Sequence, residues 1–169
     1  MDRVGIGYDL HRLVEGRSLI LGGVKIDYRL GLEGHSDADV LLHALSDALL
    51  GAACLGDIGF HFPPGEERYR DISSLTLLGE VRMKLERERW KVANVDAVVI
   101  AEAPKLARYI EAMRENIAEA LGVPRGVVSI KTTTTEGLGV CGREEGIAAQ
   151  AVVMLKKQTP PGPTGQEAE

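Results

Sequence analysis

The stretch Gly34-His35-Ser36-Asp37-Ala38-Asp39-Val40-Leu41-Leu42-His43-Ala44-Leu45-Ser46-Asp47 decides how the chain reads. Ser36-Asp37-Ala38-Asp39 has the form of a capping box, with short oxygen-bearing side chains placed to accept from first-turn amides. A helix over about 37–55 follows, apolar almost all round and so expected inside the core. Along it runs a narrow polar stripe, Asp39, His43 and Asp47, at i, i+4 and i+8. Carboxylates and imidazoles are costly to bury unless paired or bound to metal. A lone histidine there reads as a satisfied core group; three polar groups in register point to a site.

Working outward, Val4 to His11 reads as a strand, in which Asp9 and His11 share a face. That pair alone reads as an ordinary surface pair. Joined by His43 it becomes one carboxylate and two imidazoles. Three protein ligands with an open position is the pattern of a catalytic zinc site, not a structural one. The sequence holds no HExxH and no cysteine cluster, so neither a zincin protease nor a zinc finger applies.

Leu19–Leu21, Gly22-Gly23 and Val24–Ile26 predict a hairpin, because a Gly-Gly pair accepts the positive φ of a two-residue turn. A helix over about 73–89 carries Leu78, Val81 and Leu85 at helical spacing. A Val-rich strand follows, about 91–101. A third helix is expected to open at Pro104, with Leu106, Ile110, Met113, Ile117 and Leu121 on one stripe, and to stop at Gly122. Strands over about 127–133 and 146–155 close the chain. Strands and helices without strict alternation suggest an α+β fold, a β-sheet packed against α-helices in a two-layer sandwich. Residues 1–155 read as one domain and 156–169, rich in proline and free of large apolar residues, as a disordered tail.

Composition sets the limits. The chain has 169 residues, 44% hydrophobic, 27% charged and only 4% aromatic, so its core must be aliphatic. Net charge is −5, with no basic run and few stacking aromatics, which argues against nucleic acid as a partner. The longest apolar stretch, Val40 to Gly56, is interrupted by His43, Ser46 and Asp47, so no membrane span is expected. The start, MDRVGIGYDLH, lacks an apolar targeting segment. Two cysteines, Cys54 and Cys141, stand in no metal or redox spacing, which suits a reducing cytoplasm.

Two further regions carry candidate chemistry. Lys131-Thr132-Thr133-Thr134-Thr135-Glu136-Gly137, with Gly142-Arg143 beyond, offers hydroxyls, amides and cations suited to phosphate, or simply a Thr-rich strand and a glycine turn. Glu136 suits an anion site only if it holds a divalent cation against the phosphates. Asp57, in Gly56-Asp57-Ile58-Gly59, is a hydroxyl acceptor or a helix-end turn. No GxSxG, Walker A or GxGxxG motif is present, so no covalent protein nucleophile is indicated. A water-activating phosphohydrolase and a non-enzymatic binding protein remain alternative readings of these residues.

Together these segments resemble the 2-C-methyl-D-erythritol 2,4-cyclodiphosphate synthase family over about residues 3–155. The landmarks are Gly5-Ile6-Gly7-Tyr8-Asp9-Leu10-His11, His35-Ser36-Asp37-Ala38-Asp39-Val40 through His43-Ala44, Gly56-Asp57-Ile58-Gly59, Ala103-Pro104-Lys105, and Thr133-Thr134-Thr135-Glu136 through Gly142-Arg143. The resemblance implies conversion of 4-diphosphocytidyl-2-C-methyl-D-erythritol 2-phosphate to the 2,4-cyclodiphosphate and CMP. It implies zinc on Asp9, His11 and His43, the first two also bordering substrate, and a magnesium or manganese ion bridging phosphates beside Glu136. His35 and Thr134 match the family's transition-state-stabilising pair, and Ser36 lies beside the substrate phosphate. Asp57, Ile58 and Gly59 match its hydroxyl-binding turn. Phe62, Pro63 and Glu66 belong to its polyol-phosphate loop. Ala101, Ala103, Pro104, Lys105, Leu106 and Ala107 match the loop that reads cytosine, while Thr133, Thr135 and Arg143 match further phosphate contacts. The family's fold is a mixed sheet under helices, assembled as a homotrimer with sites between subunits. Ala38 stands where the family more often has glycine, and Val140 and Cys141 replace its usual residues near the trimer axis.

Overall fold

The computed structural model describes residues 1–158. Its elements in order are β1 (Asp2–Val14), β2 (Leu19–Leu21), β3 (Val24–Ile26), β4 (Gly31–Leu32), α1 (Val40–Ala53), α2 (Ile58–His61), α3 (Ser74–Arg87), β5 (Trp90–Ile100), α4 (Ile110–Leu121), β6 (Val128–Thr133), α5 (Gly139–Gly142) and β7 (Gly146–Lys157). Five strands form one sheet in the order β4-β1-β7-β5-β6, and β2 pairs with β3 as a separate hairpin. Only β5 and β6 run parallel, through the α4 crossover; the other pairs are antiparallel. The sheet is mixed and packs against helices, as expected.

β1 alternates sharply. Val4, Ile6, Tyr8 and Leu10 face outward and stay exposed, whereas Gly5 and Gly7 face α1. A Cβ on Gly5 would lie 2.0 Å from the Ala48 carbonyl oxygen, and one on Gly7 would lie 2.0 Å from that of Ala44. The two glycines therefore let the helix backbone settle directly on the strand. Asp9 and His11 continue the same parity, so they emerge beside α1 at His43, next to that contact. α1 buries eleven of its fourteen residues, including Leu41, Leu42, Leu45, Leu49 and Leu50. Each such leucine stabilises the fold by roughly 1.5–3 kcal/mol.

The hairpin forms as expected, with Gly22 at φ 57° and Gly23 at φ 70°. The start of α1 differs. Its N-cap is Asp39, whose Oδ1 accepts from Leu42 N at 3.2 Å, and not Ser36. Ala38 has φ 58°, left-handed backbone that cannot belong to a right-handed helix and that a glycine would adopt without strain. The third helix also begins later than expected. Pro104 follows a cis peptide in a loop, a 3-10 turn spans Ala107–Tyr109, and α4 starts at Ile110. Glu102, the acid beside Pro104, reaches across to the amides of Thr135 and Gly137 and caps nothing locally. Lys156 and Lys157, expected in the tail, are the last residues of β7, where they pair with Asp2 and Trp90. Gln158, also expected there, donates its N–H to the Arg89 carbonyl at 2.9 Å; the rest of the expected disordered tail, residues 159–169, lies outside the described residues.

Candidate active site

Three donors converge where β1 meets α1. His11 Nε2 stands 2.8 Å from Asp9 Oδ2, His43 Nδ1 stands 3.1 Å from the same oxygen, and the two ring nitrogens are 3.2 Å apart. Donors bound at ~2.0–2.1 Å around a tetrahedral ion would stand about 3.3 Å from one another, so this cluster needs little adjustment to hold one. The remaining nitrogens fix the tautomers. His11 Nδ1 meets the Glu33 carbonyl, which can only accept, so Nδ1 carries a hydrogen. His43 Nε2 meets the hydroxyls of Ser74 and Ser36 at 3.1 and 3.2 Å. Two imidazole lone pairs and a carboxylate oxygen then face one point, a strongly electron-rich arrangement suited to a divalent cation. Burial alone would disfavour charge on both Asp9 and His11. The hydrogen bonds and charges around them together outweigh it: His11 and His43 hold the Asp9 carboxyl well below the usual carboxylate range, and Asp9 with the Glu33 carbonyl raises His11 above ordinary imidazole.

Around this cluster opens a cleft of about 220 Å³ lined by His11, His35, Ser36, His43, Ile58, Gly59, Phe62 and Pro64 among others. His35 Nε2 donates to the Glu66 carbonyl at 2.9 Å, which ties the 62–66 loop to the cleft rim. Asp57 caps α2, its Oδ1 accepting from Phe60 N at 2.8 Å. Phe62 is nearly buried and packs edge-on against Tyr69.

A second cleft of about 250 Å³ is lined by Ala101, Pro104, Lys105, Leu106, Thr132, Thr133 and Thr134. Ala107 joins Pro104 and Lys105 in a shallower adjoining depression. Beside it, Glu136 Oε1 accepts from Thr134 Oγ1 at 2.7 Å. Thr133 pairs with Ile100, Ile100 with Ala148, and Ala148 with Leu10. The two clefts therefore open at the same end of the sheet, about 14 Å apart, or three strand spacings.

The YgbB family model matches residues 2–156. The chain belongs to the YgbB family. A relative from Moorella thermoacetica, named 2-C-methyl-D-erythritol 2,4-cyclodiphosphate synthase, is 62% identical over 153 residues, 90% of this chain and 94% of that one. One of the same name from Alkaliphilus metalliredigens is 63% identical over 90% of this chain and 96% of its own. Among solved structures, IspF of Plasmodium falciparum in complex with CDP has a TM-score of 0.82 at 33% identity, covering 94% of this chain and 97% of that one. The bifunctional IspDF of Campylobacter jejuni has a TM-score of 0.90 at 41% identity; this chain matches over 94% of its own length and spans 43% of that longer one.

In this YgbB chain the expected site residues divide. Asp9, His11 and His43 come together with His35, Ser36, Ile58, Gly59 and Phe62. Ala101, Pro104, Lys105, Leu106, Thr133 and Thr134 come together elsewhere, so His35 and Thr134 line different clefts. Pro63 yields its place on the cleft wall to Pro64, and the Glu66 carboxylate pairs with Arg68 at 2.6 Å. Arg143 lines neither cleft, its guanidinium held by Glu145 at 2.7 Å.

The polar stripe of α1 is corrected. Only His43 serves the cluster. Asp39 is fully buried and fastens the hairpin, its Oδ2 accepting from Gly23 N at 2.7 Å. Asp47 fastens the next turn by accepting from Ile58 N at 2.7 Å. Both carboxylates accept from backbone amides, which offsets part of their burial cost without a ligand. The sequence reading also missed Glu102, whose Oε1 accepts from Thr135 N and Oγ1 and from Gly137 N and so joins the two loops of the second cleft. An acid between a strand end and Ala-Pro was the signal available for it.

Proposed function

We infer that the chain converts 4-diphosphocytidyl-2-C-methyl-D-erythritol 2-phosphate to 2-C-methyl-D-erythritol 2,4-cyclodiphosphate and CMP. The observation that carries this is 55–63% identity to synthases of that name over nine tenths of the chain, with Asp9, His11 and His43 converging on one point. An oxygen of the 2-phosphate forms a bond to the β-phosphorus as the bond from that phosphorus to the cytidylate oxygen breaks. CMP leaves with the electron pair, and no water is consumed. The nucleophile is already ionised at neutral pH, so the protein's part is positioning and charge stabilisation.

We assign zinc to Asp9, His11 and His43, and magnesium or manganese to Glu136 among the substrate phosphates. A bound divalent cation would supply positive charge at the phosphate oxygens, which an acidic chain otherwise lacks. Ser36 and His35, on the rim of the first cleft, orient the reacting phosphates. Ile58 and Gly59 hold the polyol, and the adjacent Asp57 accepts from its hydroxyls. The second cleft takes the cytidine, read by the 101–107 loop; that the related Plasmodium falciparum structure is a CDP complex supports a cytidine nucleotide as ligand. Thr133, Thr134 and Thr135 offer hydroxyls to the diphosphate.

One substrate molecule then needs both clefts. We propose that two subunits of a homotrimer close the gap, one supplying the metal cluster and its neighbour the Thr-rich cleft. The exposed apolar face of Val4, Ile6, Tyr8, Leu10 and Val152 supports this, because such a patch is uncommon on a monomer. We place the reaction in the cytoplasm; among the described residues no helix is long and apolar enough to cross a membrane.

Phosphorus NMR of the protein with this substrate, zinc and magnesium tests the assignment. A cyclic diphosphate with stoichiometric CMP is the expected result. Free phosphate or an uncyclised monophosphate would mean hydrolysis and overturn it.

A further inference from the structure

His43 is held from behind by a hydroxyl that has no freedom of its own. Ser74, the first residue of α3, is 1% exposed, and its Oγ lies 3.1 Å from His43 Nε2. The same Oγ donates to Asp37 Oδ1 at 2.5 Å, and Ser74 N donates to Asp37 Oδ2 at 2.9 Å. Asp39 N also donates to Asp37 Oδ1, at 3.2 Å. Asp37 is thus fixed by three donors from two residues.

A serine hydroxyl has one proton. With that proton on Asp37, Ser74 can meet His43 Nε2 only as an acceptor. Nε2 must then carry its hydrogen, and the Nδ1 lone pair is turned to Asp9 and His11. Ser36 Oγ also lies 3.2 Å from Nε2, but it accepts from Ala38 N and has no carboxylate behind it, so it enforces no tautomer.

We propose that Asp37 and Ser74 are positioning residues that hold the His43 ring as an Nδ1 metal ligand and strengthen its basicity through a carboxylate–hydroxyl–imidazole relay. This rests on the zinc assignment above. Relays of this kind typically govern metal affinity by 10–100-fold. A different role for the same contacts is to cap α3, although Ser73 already accepts from Leu75 N at that helix start. The two roles separate in what they stabilise. A cap stabilises the metal-free fold; a relay stabilises the bound ion.

The test is zinc affinity by chelator competition, melting of the metal-free and zinc-loaded proteins, and the visible spectrum of the cobalt(II) form. It compares wild type, Ser74→Ala, Asp37→Asn, Ser36→Ala and His43→Ala. Ser74→Ala is expected to bind zinc about 10–100-fold more weakly, to lose most of the zinc-induced rise in melting temperature, and to shift the cobalt spectrum. Asp37→Asn is expected to weaken zinc in the same direction, and it carries the test if Ser74→Ala does not fold. Ser36→Ala, which leaves the carboxylate-backed hydroxyl in place, should weaken zinc far less than Ser74→Ala. Wild-type affinity in both Ser74→Ala and Asp37→Asn overturns the relay, as does a loss confined to metal-free stability or equal weakening by Ser36→Ala. Should His43→Ala alone lose zinc, the metal assignment stands and the relay falls. Should the wild type bind none, both fall.

Discussion

His43 Nδ1, on a helix, and His11 Nε2, on a strand, face each other at 3.2 Å with Asp9 Oδ2 between them. Neither ring is free to turn away, because the far nitrogen of each is engaged by Glu33 or by Ser74 and Ser36. Replacing Asp9, His11 or His43 by alanine is therefore expected to drop bound zinc from about one per chain toward none. Elemental analysis of chelator-washed, zinc-dialysed protein checks this. Unchanged stoichiometry in all three variants would sink the cluster as a metal site.

Asp39 predicts a pH dependence of stability. Burial pushes its carboxyl from 3.8 up to about 6, against the amide hydrogen bonds it accepts. Between those values the folded chain holds a proton that the unfolded chain has released, so stability falls as pH rises through the window. The contribution is fully present near pH 4 and lost above about pH 6. Relative to Asp39→Asn, the wild type should lose roughly 2–3 kcal/mol between pH 4 and pH 7. Urea unfolding of both metal-free proteins at the two pH values measures it, and a constant difference would contradict the assignment.

Gly7→Ala should drive α1 off β1, since the new Cβ would sit 2.0 Å from the Ala44 carbonyl oxygen. The expected cost is about 1–3 kcal/mol, with weaker zinc binding because His43 adjoins Ala44. Thermal unfolding and zinc titration of one preparation test both parts. A variant as stable as wild type would show that the helix contact is looser than described.

A composite site predicts complementation. His43→Ala damages the first cleft and Glu136→Ala the second. Each alone should be inactive, but chains co-expressed in equal amounts should recover about a quarter of the wild-type rate, the chance that one site draws an intact half from each. A mixture no more active than its parts would place both clefts' work within one chain.

Glu102→Ala should raise KM more than it lowers kcat, because it frees the amides of Thr135 and Gly137 that order the second cleft. Glu102→Gln, which keeps an acceptor oxygen, should lie close to wild type. Steady-state kinetics separate the two.

Local rules made much of this legible in the sequence. Period two placed Asp9 and His11 on one face, all-round apolarity announced the buried α1, and Gly22-Gly23 announced the hairpin. The donor triad followed from residue chemistry alone. The misreadings arose where one feature has two satisfactory environments. Asp39 and Asp47 looked like part of a site because a buried carboxylate needs a partner, and periodicity does not show whether that partner is an ion or an amide from Gly23 or Ile58. Pro104 looked like a helix start because its ring suits a first turn, yet Glu102 is drawn across the sheet end by contacts more than thirty residues away. Asp37 was read only as part of a helix start and Ser74 was given no role, since nothing local reveals that they meet behind His43.

The glycines of β1 share their parity with the two ligands that follow them. A slip of one residue in that strand would turn Asp9 and His11 to the opposite side and press Ile6 and Tyr8 against the helix backbone. Misalignment would thus be rejected sterically at the same step at which it would abolish chemistry. The alternating tract proofreads its own assembly, and a chain that has docked this helix has already aimed its donors.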